Sequence, residues 1–331
     1  MPKYSHLTDT TRLEREWIEK KVFPLCDELR KISGSSRELA GRALYCLFYE
    51  PSFLTRTSFE RAIGLLGGQA YHTEDASQFF PVTTPNFIDN VIELLASLHV
   101  DVVVVRSSDA GVIERAEATD AMPVINGGSL DDHPTQALAD LYTIYRELGK
   151  IDGKTIAVVG RLEHRNVSAL LKGLSLFDDV RVTLIPMSGN IDPGVASLCE
   201  ERNLKLTTEK DIEAVEDADA IYLNAPRTVA HAQLLQARSQ VNLHIDEEFM
   251  SRLKPGCIIL DPMQRSGDFA VEVKDERLAF YRQSENALIT RMAILHQMLA
   301  EYTSDVNRRE TRSGKDCWVR ISRLQDVSHR T

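Results

Sequence analysis

The sequence predicts an α/β protein made of two doubly wound parallel-sheet domains. Short β-branched runs alternate along the chain with helical stretches, which is typical of parallel sheets. The 331 residues exceed the length over which one hydrophobic core keeps growing, so two domains of about 150 residues each are expected. A polar joint at 150–154 marks the expected boundary between them.

The first half of the chain contains the clearest strand pattern. The run 100–105 is β-branched on nearly every residue, as expected for a parallel strand covered on both faces. A loop-like stretch at 73–85 is long enough to have a functional role. The predicted elements are a helix over 11–32 disturbed by Pro24, strands over 44–49, 69–72, 100–105 and 123–126, and helices over 58–66, 86–98 and 135–148.

The second half continues the alternation of strands and helices. Strands are predicted over 155–160, 181–186, 219–223 and 256–260, and helices over 167–177 and 194–201. A long amphipathic helix over 286–302 closes the fold. The polar tail over 304–331 receives no assignment from its sequence.

Composition and charge argue against several classes of protein. The net charge of −10 disfavours a general nucleic-acid-binding protein but leaves room for small anions at a local basic site. No run reaches the roughly 18 apolar residues that span a bilayer, and residues 1–13 lack a signal-peptide pattern. We therefore expect a cytoplasmic protein without membrane contact. The five cysteines are scattered and never spaced Cys-x-x-Cys, which disfavours a disulfide framework and a zinc site.

Polar side chains follow several predicted strands at their carboxyl ends, where open parallel sheets bind ligands. Each has a simpler explanation when taken singly, because hydroxyls often cap helices and arginines are usually surface charges. Their joint placement predicts one cleft for a ligand with several negative charges, such as a phosphate plus carboxylates. The polar residues are Ser52, Thr55, Arg106, His133, Gln136, Arg165 and Arg227, and the apolar Pro262 and Met263 follow a further predicted strand.

Four segments resemble signatures of the aspartate/ornithine carbamoyltransferase family, and more closely its aspartate branch. The most specific is 133–141, His-Pro-Thr-Gln-Ala-Leu-Ala-Asp-Leu, which resembles H-P-T-Q-x-L-x-D-L. Residues 51–60 resemble the phosphate motif P-S-T-R-T-R-x-S-F-E, and 261–265 resemble a version of H-P-L-P-R. Residues 281–291 resemble the closing segment Y-x-Q-x-x-N-x-x-x-x-R, and the similarity extends from about residue 5 to residue 303.

This resemblance implies two α/β domains joined by interdomain helices. The implied division is 1–134 for a carbamoyl-phosphate-type domain, 135–150 for an interdomain helix, 151–285 for an amino-acid-binding domain, 286–303 for a C-terminal helix packed on the first domain, and 304–331 for the tail. The family also implies a homotrimer with active sites between subunits, a regulatory subunit or partner enzyme, and a role in pyrimidine biosynthesis.

The implied reaction joins two small anionic substrates and needs no metal and no cofactor. The amine of an acidic amino acid attacks the carbonyl of a carbamoyl phosphate-like donor, and phosphate leaves. Arg106, His133 and Gln136 would orient and polarise that carbonyl. The other roles implied are donor binding by Ser52, Phe53, Leu54, Thr55 and Arg106, acceptor binding by Arg165, Arg227, Pro262 and Met263, and a contribution to the neighbouring subunit by Ser77.

Two departures from the family pattern concern the donor phosphate. Leu54 stands where the family has the arginine expected on the departing phosphate, and Phe53 precedes it. The family also delivers a lysine from the loop corresponding to 76–85, but no lysine occurs between Ile32 and Gly149. Since a charge-assisted contact contributes roughly 1.5–3 kcal/mol, losing two would weaken donor binding by about 10²–10⁴-fold.

The sequence therefore supports three functional interpretations. In the first, the protein is a carbamoyltransferase that acts on aspartate or a similar acidic amino acid with a weakened or altered phosphate site. In the second, it is a catalytically inactive homologue that acts as a binding or assembly partner. In the third, the fold carries different chemistry on a substrate with an uncharged or apolar head, for which Phe53, Leu54, Phe79 and Phe80 would form the binding surface.

Overall fold

The structure is a computed structural model that describes residues 6–32, 34–73, 75–78, 87–224, 244–262 and 270–300. It contains two parallel-sheet α/β domains, which confirms the predicted fold class. Among the described residues, no helix is long and apolar enough to cross a membrane.

The first domain is built from four strands and the helices around them. An opening 3₁₀ turn spans Thr10–Arg12. Helix α1 then comprises Arg15–Trp17, a π-helical turn at Ile18–Val22, and Phe23–Leu29. The remaining elements are β1 (Ala43–Phe48), α2 (Phe53–Leu65), β2 (Gln69–Thr73), a 3₁₀ turn (Ala76–Gln78), α3 (Phe87–Ser97), β3 (Val102–Arg106), α4 (Val112–Ala118) and β4 (Val124–Asn126).

Helix α5 (Pro134–Leu148) leads from this domain into the second one. The second domain contains β5 (Thr155–Arg161), α6 (Arg165–Leu174), β6 (Arg181–Ser188), α7 (Pro193–Glu201), β7 (Lys205–Thr208), a 3₁₀ turn (Ile212–Val215), β8 (Ala220–Asn224), β9 (His244–Ile245), α8 (Glu247–Arg252), β10 (Ile258–Leu260) and β11 (Ala270–Val271). Helix α9 (Phe280–Ala300) follows as the last described element.

All strands within each of the two main sheets are parallel, so the carboxyl ends of the strands lie at one edge of each sheet. The strand order is β2-β1-β3-β4 in the first sheet and β10-β8-β5-β6-β7 in the second. In the first, Phe48 of β1 pairs with Arg106 of β3. In the second, Gly160 of β5 pairs with Asn224 of β8. The loops that leave these edges are therefore brought together, as expected for a ligand-binding cleft.

Helix α5 lies in the hydrophobic core that joins the two domains. Every residue from its start to Ile144 is buried, including the polar side chains. Leu141 belongs to a core cluster with residues of both sheets and of α9. It also lies against Gly173 of α6, where an added Cβ would come within 3.0 Å of the Leu141 side chain. The absence of a side chain at Gly173 thus allows α5 and α6 to approach closely.

Three predicted helix starts are wrong. Helix α1 begins at Arg15 rather than at residue 11. Helix α2 begins at Phe53 rather than at residue 58, and the amide of Arg56 donates to the carbonyl of Ser52 at 3.2 Å. The first turns were missed because buried Thr55 and Ser58 occupy positions where an apolar period would be read. Helix α9 begins at Phe280 rather than at 286. Its first turns were missed for the same reason, because the polar side chain of Gln283 is buried there.

Several short elements were not predicted, because two- to seven-residue segments carry little periodic signal. These are α4, β7, β9, α8 and β11. By contrast, the first helix is irregular near Pro24, as the sequence predicted. Pro24 lies in the first turn after a π-helical turn, a position where its missing N–H is tolerated.

We predict that Leu141→Ala destabilises the protein by about 2–5 kcal/mol, because truncation of a fully buried leucine leaves a cavity between the domains. Urea unfolding measures this change. The matched control is Leu130→Ala, whose side chain is 61% exposed and whose effect should stay within about 0.5 kcal/mol. Equal effects of the two substitutions would contradict the assigned position of α5 in the core.

Candidate active site

A cleft of about 480 Å³ opens between the domains at the carboxyl ends of the strands. Its first-domain walls come from the segments after β1, β3 and β4, and its second-domain walls come from the segments after β5 and β10. The lining residues are Glu50, Pro51, Ser52, Phe53, Leu54, Thr55, Arg106, His133, Gln136, His164, Arg165, Asn166 and Pro262.

The N-terminus of α2 forms one end of the cleft. Ser52 occupies the N-cap position with extended backbone, yet its side chain makes no capping hydrogen bond. Thr55 is buried in the first turn. The N-terminal amides and the helix dipole favour an anion at this end. However, the cleft-lining side chains of this turn also include the apolar Phe53, which is 73% exposed, and Leu54.

Arg106 ends β3 and is held at the floor of the cleft. Its Nη1 donates to the carbonyl oxygen of Gly127 at 2.9 Å. Gly128 adopts a φ of +122°, and a Cβ at this position would collide with the Arg106 guanidinium and approach the His133 ring to 3.4 Å. The glycine therefore permits both polar side chains to lie at the same point of the cleft.

His133 is the N-cap residue of α5 and is 3% exposed. Burial lowers its pKa well below the usual value, and the charges of Arg106, Arg291 and Arg165 lower it further. The imidazole is therefore neutral at physiological pH. Its Nδ1 lies 3.3 Å from the hydroxyl of Thr135. A hydrogen bond from that hydroxyl would place the ring proton on Nε2, where it could polarise a carbonyl oxygen.

Gln136 lies in the first turn of α5 and lines the same cleft. Its Nε2 donates to Oδ1 of Asp140, one turn further along the helix, at 2.8 Å. Both residues are buried, with Asp140 completely so. Asp140 thus holds the Nε2 end of the Gln136 amide, while the other end of this side chain faces the cleft.

Arg165 opens α6 in the second domain and crosses the cleft to the first. Its Nη2 donates to Oε2 of Glu50 at 2.9 Å, and its Nη1 donates to the carbonyl oxygen of Ser129. The same Glu50 oxygen lies 3.8 Å from Nε of Arg106. Burial raises the pKa of Glu50, but bonds from Ser108 and Arg165 and the charges of both arginines bring it below its usual value. Glu50 is therefore ionised and offsets part of the positive charge of the cleft.

The structure brings most of the predicted site residues together. Those that line the cleft are Ser52, Phe53, Leu54, Thr55, Arg106, His133, Gln136, Arg165 and Pro262. Ser77 does not line it; this exposed residue lies in the 3₁₀ turn Ala76–Gln78, and its hydroxyl donates to Asp75. Arg227 and Met263 lie outside the described residues.

Sequence reasoning missed four residues of the cleft, namely Glu50, Pro51, His164 and Asn166. Each immediately follows a strand or neighbours a predicted site residue, which was the signal that could have found them. No metal site was predicted. Among the residues that the structure describes, no group of three or more His, Cys, Asp or Glu side chains could hold a metal ion.

Comparison with known proteins identifies the family. The profile described as "Aspartate/ornithine carbamoyltransferase, carbamoyl-P binding domain" matches residues 5–146, and that described as "Aspartate/ornithine carbamoyltransferase, Asp/Orn binding domain" matches residues 152–298. The chain belongs to the aspartate/ornithine carbamoyltransferase family. The family resemblance of the sequence motifs is thereby confirmed.

Similar relatives come from the aspartate branch of this family. The chain is 31% identical to the chloroplastic aspartate carbamoyltransferase of Arabidopsis thaliana, over 89% of this chain and 78% of that one. It is also 31% identical to the aspartate carbamoyltransferase catalytic subunit of Thermoplasma acidophilum, over 85% of this chain and 93% of that one.

Solved structures agree with this placement. Aspartate transcarbamoylase from Trypanosoma cruzi, in complex with carbamoyl phosphate and aspartate, superimposes with a TM-score of 0.80 at 28% identity, covering 90% of this chain and 98% of that one. The catalytic subunit of the M. jannaschii enzyme gives a TM-score of 0.79 at 26% identity, covering 89% and 98%. This carbamoyltransferase-family chain thus shares the fold of the aspartate transcarbamoylases over nearly its whole described length.

We predict that buried His133 makes the stability of this family member pH-dependent. The unfolded chain binds a proton to this imidazole below about pH 6.5, whereas the folded chain does not. The contribution of the neutral His133 ring to the free energy of unfolding is therefore complete above pH 6.5 and is lost as the pH falls. At pH 5.5 the loss should be about 1.4 kcal/mol.

The measurement is urea unfolding of the wild type and of His133→Gln at pH 7.5 and pH 5.5. Other titrating groups are shared by the two chains, so they cancel in the difference. The wild type should lose stability relative to the variant on going to pH 5.5. An identical pH dependence of the two chains would contradict the buried, neutral state of His133.

Proposed function

We propose that this protein transfers a carbamoyl group from a carbamoyl phosphate-like donor to the amine of aspartate or a similar acidic amino acid. The observation that carries the proposal is the convergence of Arg106, His133, Gln136 and Arg165 on one interdomain cleft. Relatives named aspartate carbamoyltransferase, matched over most of their length, support the same reaction.

The carbonyl half of the site has the groups that this reaction needs. As the amine attacks, negative charge develops on the carbonyl oxygen. The Arg106 guanidinium and the neutral imidazole of His133 are held at the floor of the cleft, where fixed donors stabilise such charge without reorganising. The C–N bond forms at the carbonyl carbon, and the C–O bond to phosphate breaks.

The acceptor half is supplied by the second domain. Arg165 is the described cation best placed for a carboxylate of the acceptor, with Pro262 on the adjoining wall. We include Arg227 and Met263 in this half on the family resemblance alone. The ion pair between Arg165 and Glu50 joins the two domains, so acceptor binding at Arg165 would be linked to the distance between them.

The phosphate half is the part that differs. Ser52, Thr55 and the first-turn amides of α2 remain for an anion, but Leu54 replaces a cation. Because Glu50 already offsets positive charge nearby, the described chain offers little net charge to a phosphate dianion. We infer weak donor binding, with Ser77 and the loop after it acting on a neighbouring subunit of a homotrimer.

A cytoplasmic location stays a prediction.

We predict that Leu54→Arg raises kcat/KM for carbamoyl phosphate by about 10–10²-fold, because it restores one charge-assisted contact to the phosphate. A second variant, Leu54→Arg combined with Val82→Lys, should rise further. The measurement is the rate of carbamoylaspartate formation over a range of donor concentrations.

The matched control is Leu98→Arg, which adds the same charge at a residue that is 65% exposed and does not line the cleft. It should leave the kinetic constants unchanged. A gain from Leu98→Arg equal to that from Leu54→Arg would contradict a specific phosphate contact at the α2 N-terminus.

The apolar first turn of α2 also favours a second candidate function, that of an inactive homologue serving as a binding or assembly partner. Phe53, 73% exposed at the cleft mouth, would then belong to a protein interface. On this alternative, calorimetry detects no carbamoyl phosphate binding and co-purification recovers a partner. Detectable turnover that His133→Ala abolishes would exclude it.

A further inference from the structure

A second cavity lies between the domains, behind the loop that carries His133. Its volume is about 390 Å³, and none of its lining residues belongs to the candidate active site. Thr11 and Asp131 line it from the first domain, and residues of α6 and of the segment 192–201 line it from the second. Asp131 thus borders this cavity, whereas His133, two residues later, borders the active site. A cavity of this size is typical of a small-molecule site.

The cavity contains one buried cation. Lys172 of α6 is 8% exposed, and its Nζ lies 3.6 Å from Oδ2 of Asp132 without a hydrogen bond to any described residue. Asp132 already accepts from the amide and the hydroxyl of Thr10, each at 2.7 Å, and from the amide of His133 at 2.9 Å. The carboxylate of Asp132 is therefore satisfied without the lysine. The N–H donors of Lys172 remain available to a ligand in the cavity.

A buried hydroxyl lies beside this cation. Ser168 is four residues before Lys172 on α6, so the two side chains share one face of the helix. Ser168 is buried, and its hydroxyl makes no hydrogen bond to the part of the chain that the structure describes. The amides of Gly194 and Val195, by contrast, both donate to Oδ1 of Asp192, at 2.8 and 3.1 Å. The donors for an anionic group are therefore those of Lys172 and Ser168, rather than the N-terminus of α7.

The exposed rim of the cavity has the opposite charge. Asp131, Asp192 and Glu201 all line it and are all exposed. These carboxylates do not form a metal site, since no group of three or more His, Cys, Asp or Glu side chains in the described ranges could hold a metal ion. The rim is therefore suited to organic cations such as ammonium and guanidinium groups.

An apolar wall connects the floor of the cavity with its rim. Val195 and Leu198 line the cavity from α7, three residues apart and thus on one face of that helix. A chain of methylene groups could pack along this wall with a charged group at its end, as the stems of long basic side chains do. The cavity thus combines an anion-binding floor, an apolar wall and a cation-binding rim.

We propose that this cavity binds a basic amino acid, with the α-carboxylate on Lys172 and Ser168 and the cationic groups at the rim carboxylates. The charges disfavour the two simpler kinds of ligand. A phosphate compound would face the three carboxylates of the rim, and a polyamine would face the buried ammonium of Lys172. The inference is independent of the proposed transferase function, because the cavity and the active site share no lining residue.

The experiment is calorimetric titration of the full chain with L-arginine in an excess of aspartate. Aspartate fills the proposed acceptor site, so the remaining heat reports on a separate site. The wild type should bind one L-arginine per chain with a Kd of about 1 mM or tighter. Agmatine lacks the carboxylate of arginine, and L-norvaline lacks its guanidinium group. Each should bind at least about tenfold more weakly than L-arginine.

Lys172→Met removes the ammonium and keeps a stem of similar length. Its affinity for L-arginine should fall at least about tenfold, because the carboxylate loses its charged partner. Its affinity for agmatine should not fall, since agmatine has no carboxylate and loses only a repulsive charge. A merely structural role of Lys172 would instead lower the affinity for both compounds together.

A second variant keeps the inference testable if Lys172→Met does not fold. Glu201→Gln changes one exposed rim carboxylate and should weaken L-arginine binding by about threefold, with no effect on L-norvaline. The matched control is Glu200→Gln, which makes the same change at an exposed neighbour that does not line the cavity. Its affinity for L-arginine should equal that of the wild type.

Four outcomes would overturn the inference. The wild type could show no saturable binding of L-arginine, or binding that disappears in an excess of aspartate and therefore belongs to the active site. Agmatine binding as tightly as L-arginine would contradict the carboxylate contact at Lys172. Equal effects of Glu201→Gln and Glu200→Gln would contradict the assigned rim.

Discussion

Burial of helix α5 between the two parallel sheets is the constraint from which the rest of the site follows. Because apolar side chains of both domains enclose this helix, each of its polar groups needs a hydrogen-bond partner within the protein. Asp140 is satisfied by donors from α5, α9 and β8, and Thr143 accepts from the Asn286 amide at 3.1 Å. The same helix presents His133 and Gln136 at its N-terminus, so the network that stabilises the helix also orients the polar face of the cleft.

The sequence was informative where local chemistry decides the structure. The β-branched run of β3 predicted a parallel strand covered on both faces, and Arg106 at its end lines the cleft. His133 and Gln136 were proposed for the same reason, since they follow a strand at the sheet edge, and both line the cleft. The start of α2 was missed, because buried Thr55 and Ser58 do not give the apolar period of a helix.

Other features depend on residues distant in the chain, and no local pattern predicts them. Asp140 meets Tyr222 and Gln283 only after three elements have packed together. Arg291 lies in an amphipathic helix where an arginine is normally solvated, yet it is completely buried. Likewise, Glu50 gave no sign in the sequence that it would pair with Arg165 across the domains. The polar groups that support the site are therefore harder to predict than the residues that line it.

One proposed active site combines an intact carbonyl half with a weakened phosphate half. Its most direct test is carbamoylaspartate formation by the wild type, measured with aspartate over a wide range of carbamoyl phosphate concentrations. The predicted result is turnover that needs unusually high donor concentrations to saturate and that disappears in His133→Ala. Absence of turnover at every donor concentration, in a folded protein, would contradict the central claim.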